Sequence, residues 1–361
     1  MTGINAVDRR LPHPTRKKTL MVASDCTIKD KVEFLTRPAA YPALPATVDI
    51  IETHMSWVFL AGSHVYKLKK PVVFPFLDFT NVMARRTNCE AEVRLNRRLA
   101  PDIYLGIEAL TQEKDGSLRL GGAGVPVDWL VHMKRLPRDL MLDVMIMEKR
   151  LASNHLDALA NTLGRFYRSA ERPSTDPAVH LENLEQQQKW NRETLGDRAV
   201  PLDHALVERH LAEMDAARQR VAFLIEDRIR RKCYVDGHGD LRPQHVCFSD
   251  PIAIFDCLEF DDRLRFVDPF DEIAFLSLEC DFLGAAWVGR EILDRMSVRL
   301  ADGAPPVLVD FYTAFRATLR ARMALSHLAR GAVPSSTPWV AKAGRYLDLA
   351  HAALVRIRVG I

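Results

Sequence analysis

A chain of 361 residues with 48% hydrophobic residues can fill one large domain or two lobes. A formal net charge of +3 is too small to point to a nucleic-acid or membrane partner, and no apolar run approaches the roughly 20 residues of a membrane span. Six cysteines without a CxxC pair argue against a zinc site or disulfide framework and fit a reduced, cytoplasmic setting. The opening MTGINAVDRRLPHPTRKK is polar and basic with no apolar stretch behind it, so residues 1–29 read as a flexible leader. From Val48 to Lys70, VDIIETHMSWVFLAGSHVYKLKK breaks into three β-rich pieces at ETHMS and AGS, the pattern of an antiparallel meander. A helix is expected from an N-cap at Thr80 to the region of Leu99, stopped by Pro101. Strand patterns return at Ile103–Leu110 and Val125–Met133, on either side of the turn-like QEKDGS. From Arg138 the pattern is helical, over Leu140–Ala170 and Leu206–Arg231. Two short strands interrupt near residues 246–255, and helices run from Phe270 to the end, broken at DGAPP and GAVPSSTP. The chain thus divides into a sheet-rich N-lobe, residues 30–135, and a helical C-lobe, residues 136–361.

Two stretches gather residues that a surface loop would not. Alternation along HVYKLKK sets Val65, Lys67 and Lys69 on one face and Tyr66 and Leu68 on the other. On the helix that follows, Glu92 falls inside the apolar arc of Cys89, Val93, Leu95 and Leu99, whereas Glu90 points away. A carboxylate on a buried face needs a cation; Lys67 offers one, and Arg97 or Arg98 are the alternatives. The second stretch, YVDGHGDLRPQHVCFSDPIAIFDCLEFDD, places Asp240 between His238 and His245, with Asp256 and Glu259 close behind.

GHGDLRPQHV followed by IAIFD resembles the catalytic loop and metal-binding strand of the protein-kinase-like fold, in its aminoglycoside phosphotransferase branch. There H-G-D-x-x-x-x-N precedes an apolar strand ending in Asp. His238, Gly239, Asp240 and Asp256 match that pattern. With ETHMSWVFL, VYKLKKPV and EVRLNRRLAPDIYLGI, the chain looks like the bacterial phosphotransferase-like family sometimes fused to a P-loop ATP-binding domain, over Val48 to Ala274; it holds no GxxxxGK[ST]. The resemblance implies an α+β, two-lobed fold and transfer of the γ-phosphate of ATP to a hydroxyl of a small molecule, with Mg²⁺. Asp240 would be the catalytic base and Asp256 a metal ligand. Lys67, held by Glu92, would reach the phosphates, leaving Val65 against adenine; taking Lys69 instead would set Lys67 against the ring. The same resemblance implies phosphate contacts from Ser56 and the backbone around Met55, and adenine contacts from the backbone of Met133 to Arg135. His238 would pack beneath the loop, with Asp268 and Asp271 as its supports.

Two positions depart from the pattern. ETHMSW lacks the glycines of a phosphate-covering turn, and His245 stands where Asn is expected. Magnesium prefers oxygen donors, so an imidazole there implies greater use of Mn²⁺ and metal affinity that falls below about pH 6.5. The same fold also hosts regulatory pseudokinases and AMP-transferases acting on proteins, which stand as alternatives. Asp261 is expected to pair with Arg263 or Arg265, while Glu259 is open between metal and ion pair. LENLEQQQKWNRETLGD is either an acidic wall for a polycationic acceptor or a solvated helix face.

Overall fold

In the computed structural model, which describes residues 26–74, 77–326 and 337–360, the first element is helix α1 (Ile28–Leu35). Thr27 caps it in a capping box with Asp30, so it begins inside the stretch expected as leader; residues 1–25 lie outside the described residues. Strands β1 (Val48–Glu52), β2 (Ser56–Ala61) and β3 (His64–Lys69) form the meander, with Phe59 opposite Tyr66. A small hairpin, β4 (Val73–Phe74) and β5 (Leu77–Asp78), leads to helix α2 (Val82–Asn96). The cap of α2 is Asn81, which accepts the Met83 N–H at 2.7 Å, and not Thr80 as expected. Thr80 is already engaged, since its hydroxyl and amide both donate to Asp78. Strands β6 (Tyr104–Gln112), β7 (Leu118–Leu120) and β8 (Val125–Lys134) complete a six-stranded antiparallel sheet of order β1-β2-β3-β8-β6-β7.

The two faces of this sheet follow from strand alternation. Phe59, Tyr66, Leu68, Leu110 and Leu130 point to one side and pack with Leu35 and Tyr41. Val65, Val131 and Met133 point to the other, against Cys89 and Val93 of α2 and against Met141, Cys247 and Ala253 from the helical part. That second face carries Lys67 and Lys69 into the same space.

The stretch expected as one helix over Leu140–Ala170 is two, α3 (Leu142–Met147) and α4 (Ser153–Ser169), parted where Lys149 takes a left-handed turn with φ +56°. Helices α5 (Pro177–Leu195) and α6 (His204–Arg230) follow. Four short strands then build the centre of the molecule: β9 (Val235–Asp236), β10 (Val246–Cys247), β11 (Ala253–Ile254) and β12 (Phe266–Val267). β10 pairs with β11 and β9 with β12, both antiparallel. The remaining helices are α7 (Pro269–Phe282), α8 (Ala286–Leu300), α9 (Pro306–Ser326) and α10 (Thr337–Val359). DGAPP separates α8 from α9 as expected, and the expected break at GAVPSSTP lies outside the described residues. Leu156, Leu159 and Leu163 of α4 join Ile273 and Leu276 of α7 and Val288, Ile292 and Met296 of α8 in one core that also holds Val246 and Ile254. No helix among the described residues is long and apolar enough to cross a membrane.

Candidate active site

The loop from Gly237 to Asp240 leaves β9 through a backbone shape that only small residues allow. Gly239 has φ +85°, and a Cβ there would lie 3.0 Å from Leu258 Cδ1 and 3.1 Å from the Leu264 carbonyl oxygen. A Cβ on Gly237 would come within 2.6 Å of Val267 Cγ2. The amides of His238 (2.8 Å) and Gly239 both donate to Glu272, which also accepts the Tyr167 hydroxyl at 2.9 Å. Glu272 is buried in the first turn of α7, where the helix dipole favours a carboxylate. Asp268 and Asp271, expected to prop the loop, make no hydrogen bond to it among the described residues. Asp268 caps α7 by accepting the Phe270 N–H at 3.0 Å and pairs with Arg228, while Asp271 forms a two-point pair with Arg316. Glu272 takes the place expected of them, one helical position further on. His238 is fully buried, with Nε2 2.9 Å from the Phe255 carbonyl oxygen, and burial holds its pKa down at about 4.

Asp240 is partly exposed, with Oδ2 2.7 Å from Arg242 Nη2 and 3.7 Å from His245 Nδ1. Burial favours its neutral form, but Arg242 and then His245 outweigh burial and hold the carboxyl below its ordinary range. His245 Nδ1 faces the Asp240 carbonyl oxygen at 2.9 Å; a carbonyl only accepts, so Nδ1 carries the proton. Nε2 is then the acceptor, 3.1 Å from Arg242 Nη2 and 3.4 Å from Asp256 Oδ2. Burial, and then Arg242, lower the His245 pKa despite the two nearby carboxylates. The pH at which this imidazole would charge therefore lies below the 6.5 expected for a free histidine.

On the sheet side, Lys67 Nζ lies 2.9 Å from Glu92 Oε1 and 2.9 Å from Asp256 Oδ1. Lys69 Nζ lies 2.5 Å from Glu92 Oε2 and 2.6 Å from Glu259 Oε1. Glu92 thus bridges both lysines, so the pairing is not a feature that distinguishes Lys67 from Lys69. Glu259 pairs with Lys69, and not with Arg263 or Arg265. Arg97 and Arg98 turn away from Glu92, to the carbonyl oxygens of Tyr104 and Leu105 and of Asp236 and Gly237. Asp261 pairs with Arg263 at 2.8 Å. Burial raises the Glu92 carboxyl, but Lys67 and Lys69 reverse the direction and keep it ionised. Asp256 sits at φ +61°, a left-handed conformation that costs a non-glycine residue about 1 kcal/mol or more. Tyr104 Oη receives its amide at 3.3 Å and Asn96 Oδ1 receives the next amide at 2.9 Å. Burial opposes its charge, yet Lys67 and then His245 hold its carboxyl well below the carboxylate range.

No family model matches the chain. Over 289 residues, 79% of its length, it is 35% identical to three uncharacterised proteins of Mycobacterium bovis and Mycobacterium tuberculosis, and it spans 56% of the length of those relatives. Among solved structures, choline kinase from Cryptosporidium parvum Iowa II superposes with a TM-score of 0.56 at 11% identity, over 91% of this chain and 97% of that one. A thermostable mutant of the aminoglycoside phosphotransferase APH(4)-Ia, in ternary complex with AMP-PNP and hygromycin B, superposes with a TM-score of 0.50 at 12% identity, over 91% and 98%. The chain has the protein-kinase-like fold.

The residues expected to contact the nucleotide have the following places in the fold. Val65 is buried on the cleft face of β3, opposite Met133. Ser56 is the first residue of β2, opposite Lys69, and its hydroxyl is buried without a partner among the described residues; the turn proper is Thr53–Met55, closed by Thr53 Oγ1. Met133 lies inside the sheet between Val65 and Tyr104, the Lys134 amide donates to Ile103, and the Arg135 amide donates to Ser63 at 2.8 Å. Those amides are engaged because strand pairing runs on past the expected end at Met133. The Arg135 side chain reaches Asp49 at 3.6 Å. Sequence reasoning missed Arg242, whose signal was a cation two residues after Asp240, and Glu272, an acid in the first turn of an expected helix.

Among the described residues no group of three or more His, Cys, Asp or Glu is arranged to hold a metal. The donor set is the half-exposed Asp256 carboxylate, with His245 Nε2 available only if Arg242 moves aside. One carboxylate of this kind suits Mg²⁺, an ion that keeps phosphate oxygens and water as its other ligands.

Proposed function

We propose that the protein is an ATP-dependent phosphotransferase that moves the γ-phosphate to a hydroxyl of a small molecule. The observation that carries this reading is the continuous set of contacts from Glu92 through Lys67 to Asp256, and from Asp256 past His245 to Asp240. Phosphoryl transfer demands positioning and charge neutralisation more than covalent chemistry by the protein. Asp240, kept ionised by Arg242, accepts or orients the hydroxyl proton of the acceptor. Lys67, fixed by Glu92, donates to phosphate oxygens, and Arg242 adds positive charge beside the transferred group. Val65 and Met133 offer the adenine ring an apolar surface. Asp256 would hold Mg²⁺, with His245 as its neighbour, and the ion would supply charge neutralisation on the phosphates. In this reading residues 30–135 carry the nucleotide and residues 136–361 the catalytic loop and acceptor site, in a cytoplasmic enzyme whose six cysteines are free. The names of the choline kinase and of the aminoglycoside phosphotransferase support a small-molecule acceptor by analogy of fold. Incubation with γ-labelled and α-labelled ATP tests the reading. Transfer of the γ label to a small molecule is the expected result; α label on protein would mean AMP transfer, and no transfer a nucleotide-binding pseudokinase.

A further inference from the structure

Beyond the Asp240 loop, α5, α7, α9 and the segment of Asp261 and Arg263 border a cavity of about 330 Å³ lined by Gln187, Trp190, Asp271 and Arg316, and Arg322 meets its wall through Gln187 and Trp190. The charges around it are not balanced. Arg316 is matched by Asp271 at 2.6 Å and Arg320 by Glu279 at 2.9 Å, and both arginines act through space on Asp240. Arg322 has no such match. Its guanidinium donates to the Gln187 carbonyl oxygen at 3.0 Å and to Gln187 Oε1 at 2.7 Å and lies 5.6 Å from the Trp190 ring centroid. No carboxylate stands within ion-pair distance of it among the described residues. Lys342 of α10, close to Arg320 and Arg242, likewise lacks a carboxylate partner among them. Burial pulls the Arg322 pKa down to about 10, with Glu193 too distant to restore it.

Arg242, Arg316 and Arg320 thus pair with Asp240, Asp271 and Glu279, and Arg263 on the cavity lining pairs with Asp261, which leaves Arg322 and Lys342 without a carboxylate within ion-pair distance among the described residues. A guanidinium withdrawn from water without a carboxylate is costly, and a ligand that brings the anion offsets the cost. The amides of Asn183 and Gln187 and the face of Trp190 suit a hydroxylated body. The acids of LENLEQQQKWNRETLGD, which would have suited a polycation, do not line this wall: Glu182, Glu185 and Glu193 are exposed. Resting on the phosphotransferase reading above, we propose that the acceptor is a small hydroxylated anion, with a hydroxyl at Asp240 and a carboxylate or phosphate held on the Arg322 side of the cavity.

Four probes of similar size that differ in charge test this: D-glucose, D-gluconate, D-glucose 6-phosphate and D-glucosamine. Each is titrated calorimetrically into the full chain with Mg²⁺ and a non-hydrolysable ATP analogue, and separately assayed for γ-phosphate transfer. Gluconate or glucose 6-phosphate should bind about tenfold tighter than glucose and glucosamine, the worth of one charge-assisted hydrogen bond. Which of the two wins separates a carboxylate from a phosphate ligand. Arg322→Gln should erase the preference and Arg322→Lys restore part of it, with affinity for the ATP analogue unchanged in both. Preference for glucose or glucosamine, or no difference among the four, overturns the proposal. An anion preference without γ-phosphate transfer keeps the site and overturns the phosphotransferase reading alone.

Discussion

Lys67 and Lys69 share a strand face and a carboxylate partner, yet their surroundings assign them different work. Lys69 is 2% exposed and enclosed by Glu92 and Glu259, whereas Lys67 is 16% exposed and meets the half-exposed Asp256 at the cleft. Lys69→Ala leaves two buried carboxylates sharing one fewer cation, and loss of one partner from a buried pair costs about 3–5 kcal/mol. It should therefore lower the thermal midpoint strongly. Lys67→Ala should instead weaken ATP binding or turnover with a smaller loss of stability, and equal thermal losses in the two variants would refute the division. At Asp240 the contrast is between chemistry and binding. Asp240→Asn should lower kcat by about 10²- to 10⁴-fold, the usual worth of a general base, and leave ATP affinity unchanged by titration calorimetry. Turnover within about tenfold of the parent would remove Asp240 from the role.

Helix α7 matters as an element because its first turn meets the catalytic loop. Two amides of the loop end on one buried carboxylate, Glu272, and the Tyr167 hydroxyl donates to the same carboxylate. Glu272→Gln keeps the shape but removes the charge, and the amide can present only one acceptor oxygen. Hydrogen bonds to a charged group are worth about 1.5–3 kcal/mol, so the loop should lose its fixed direction before the protein loses its fold. The expected signature is a fall in kcat with KM for ATP unchanged and with urea unfolding shifted only modestly. A shift in KM for ATP with kcat preserved would show that Glu272 supports the nucleotide side instead.

Across the whole molecule, buried histidines couple the fold to pH. His210 lies in the α6–α9 contact with Nε2 2.9 Å from Thr318 Oγ1, and burial, then His351, holds its pKa at about 4. His180, half-buried, packs edge-on against Tyr234 and is also held at about 4, chiefly by desolvation, with Asp271 and Arg316 acting in opposite directions. In the unfolded chain both titrate near 6.5. Between those values the unfolded state binds more protons, so stability falls as pH drops from about 6.5 toward about 4 and is insensitive to these groups above 6.5. The loss is on the order of 1–3 kcal/mol for each histidine. Thermal midpoints should decline from about pH 7 to about pH 5, and His210→Gln should shallow the decline. A midpoint that stays level across that interval would contradict the burial of His210.

Sequence alone determined whatever depends on near neighbours. Alternation put Val65, Lys67 and Lys69 on one face because side chains on a strand alternate regardless of what the sheet packs against. The HGD loop and the IFD strand were legible because their order and spacing resemble the kinase-like pattern, and Gly239 of that loop adopts a backbone angle that a side chain would strain. Glu92 was legible as a buried acid from helical spacing. Tertiary structure decided the partners. Lys67 and Asp256 meet across 189 residues of chain, and Lys69 and Glu259 across 190, so no local pattern could divide Glu92 between two lysines or name Lys69 as the partner of Glu259. Asp268, Asp271 and Glu272 all sit within one helical turn, and only the docking angle of α7 selects the one that meets the loop. The partners of the amides near Met133 were not legible, because strand length is set by pairing with β3 and β6, which propensity does not encode. The unmatched charge of Arg322 emerges only when α5 and α9 are packed, since an arginine in a sequence carries no mark of the carboxylates it will fail to meet.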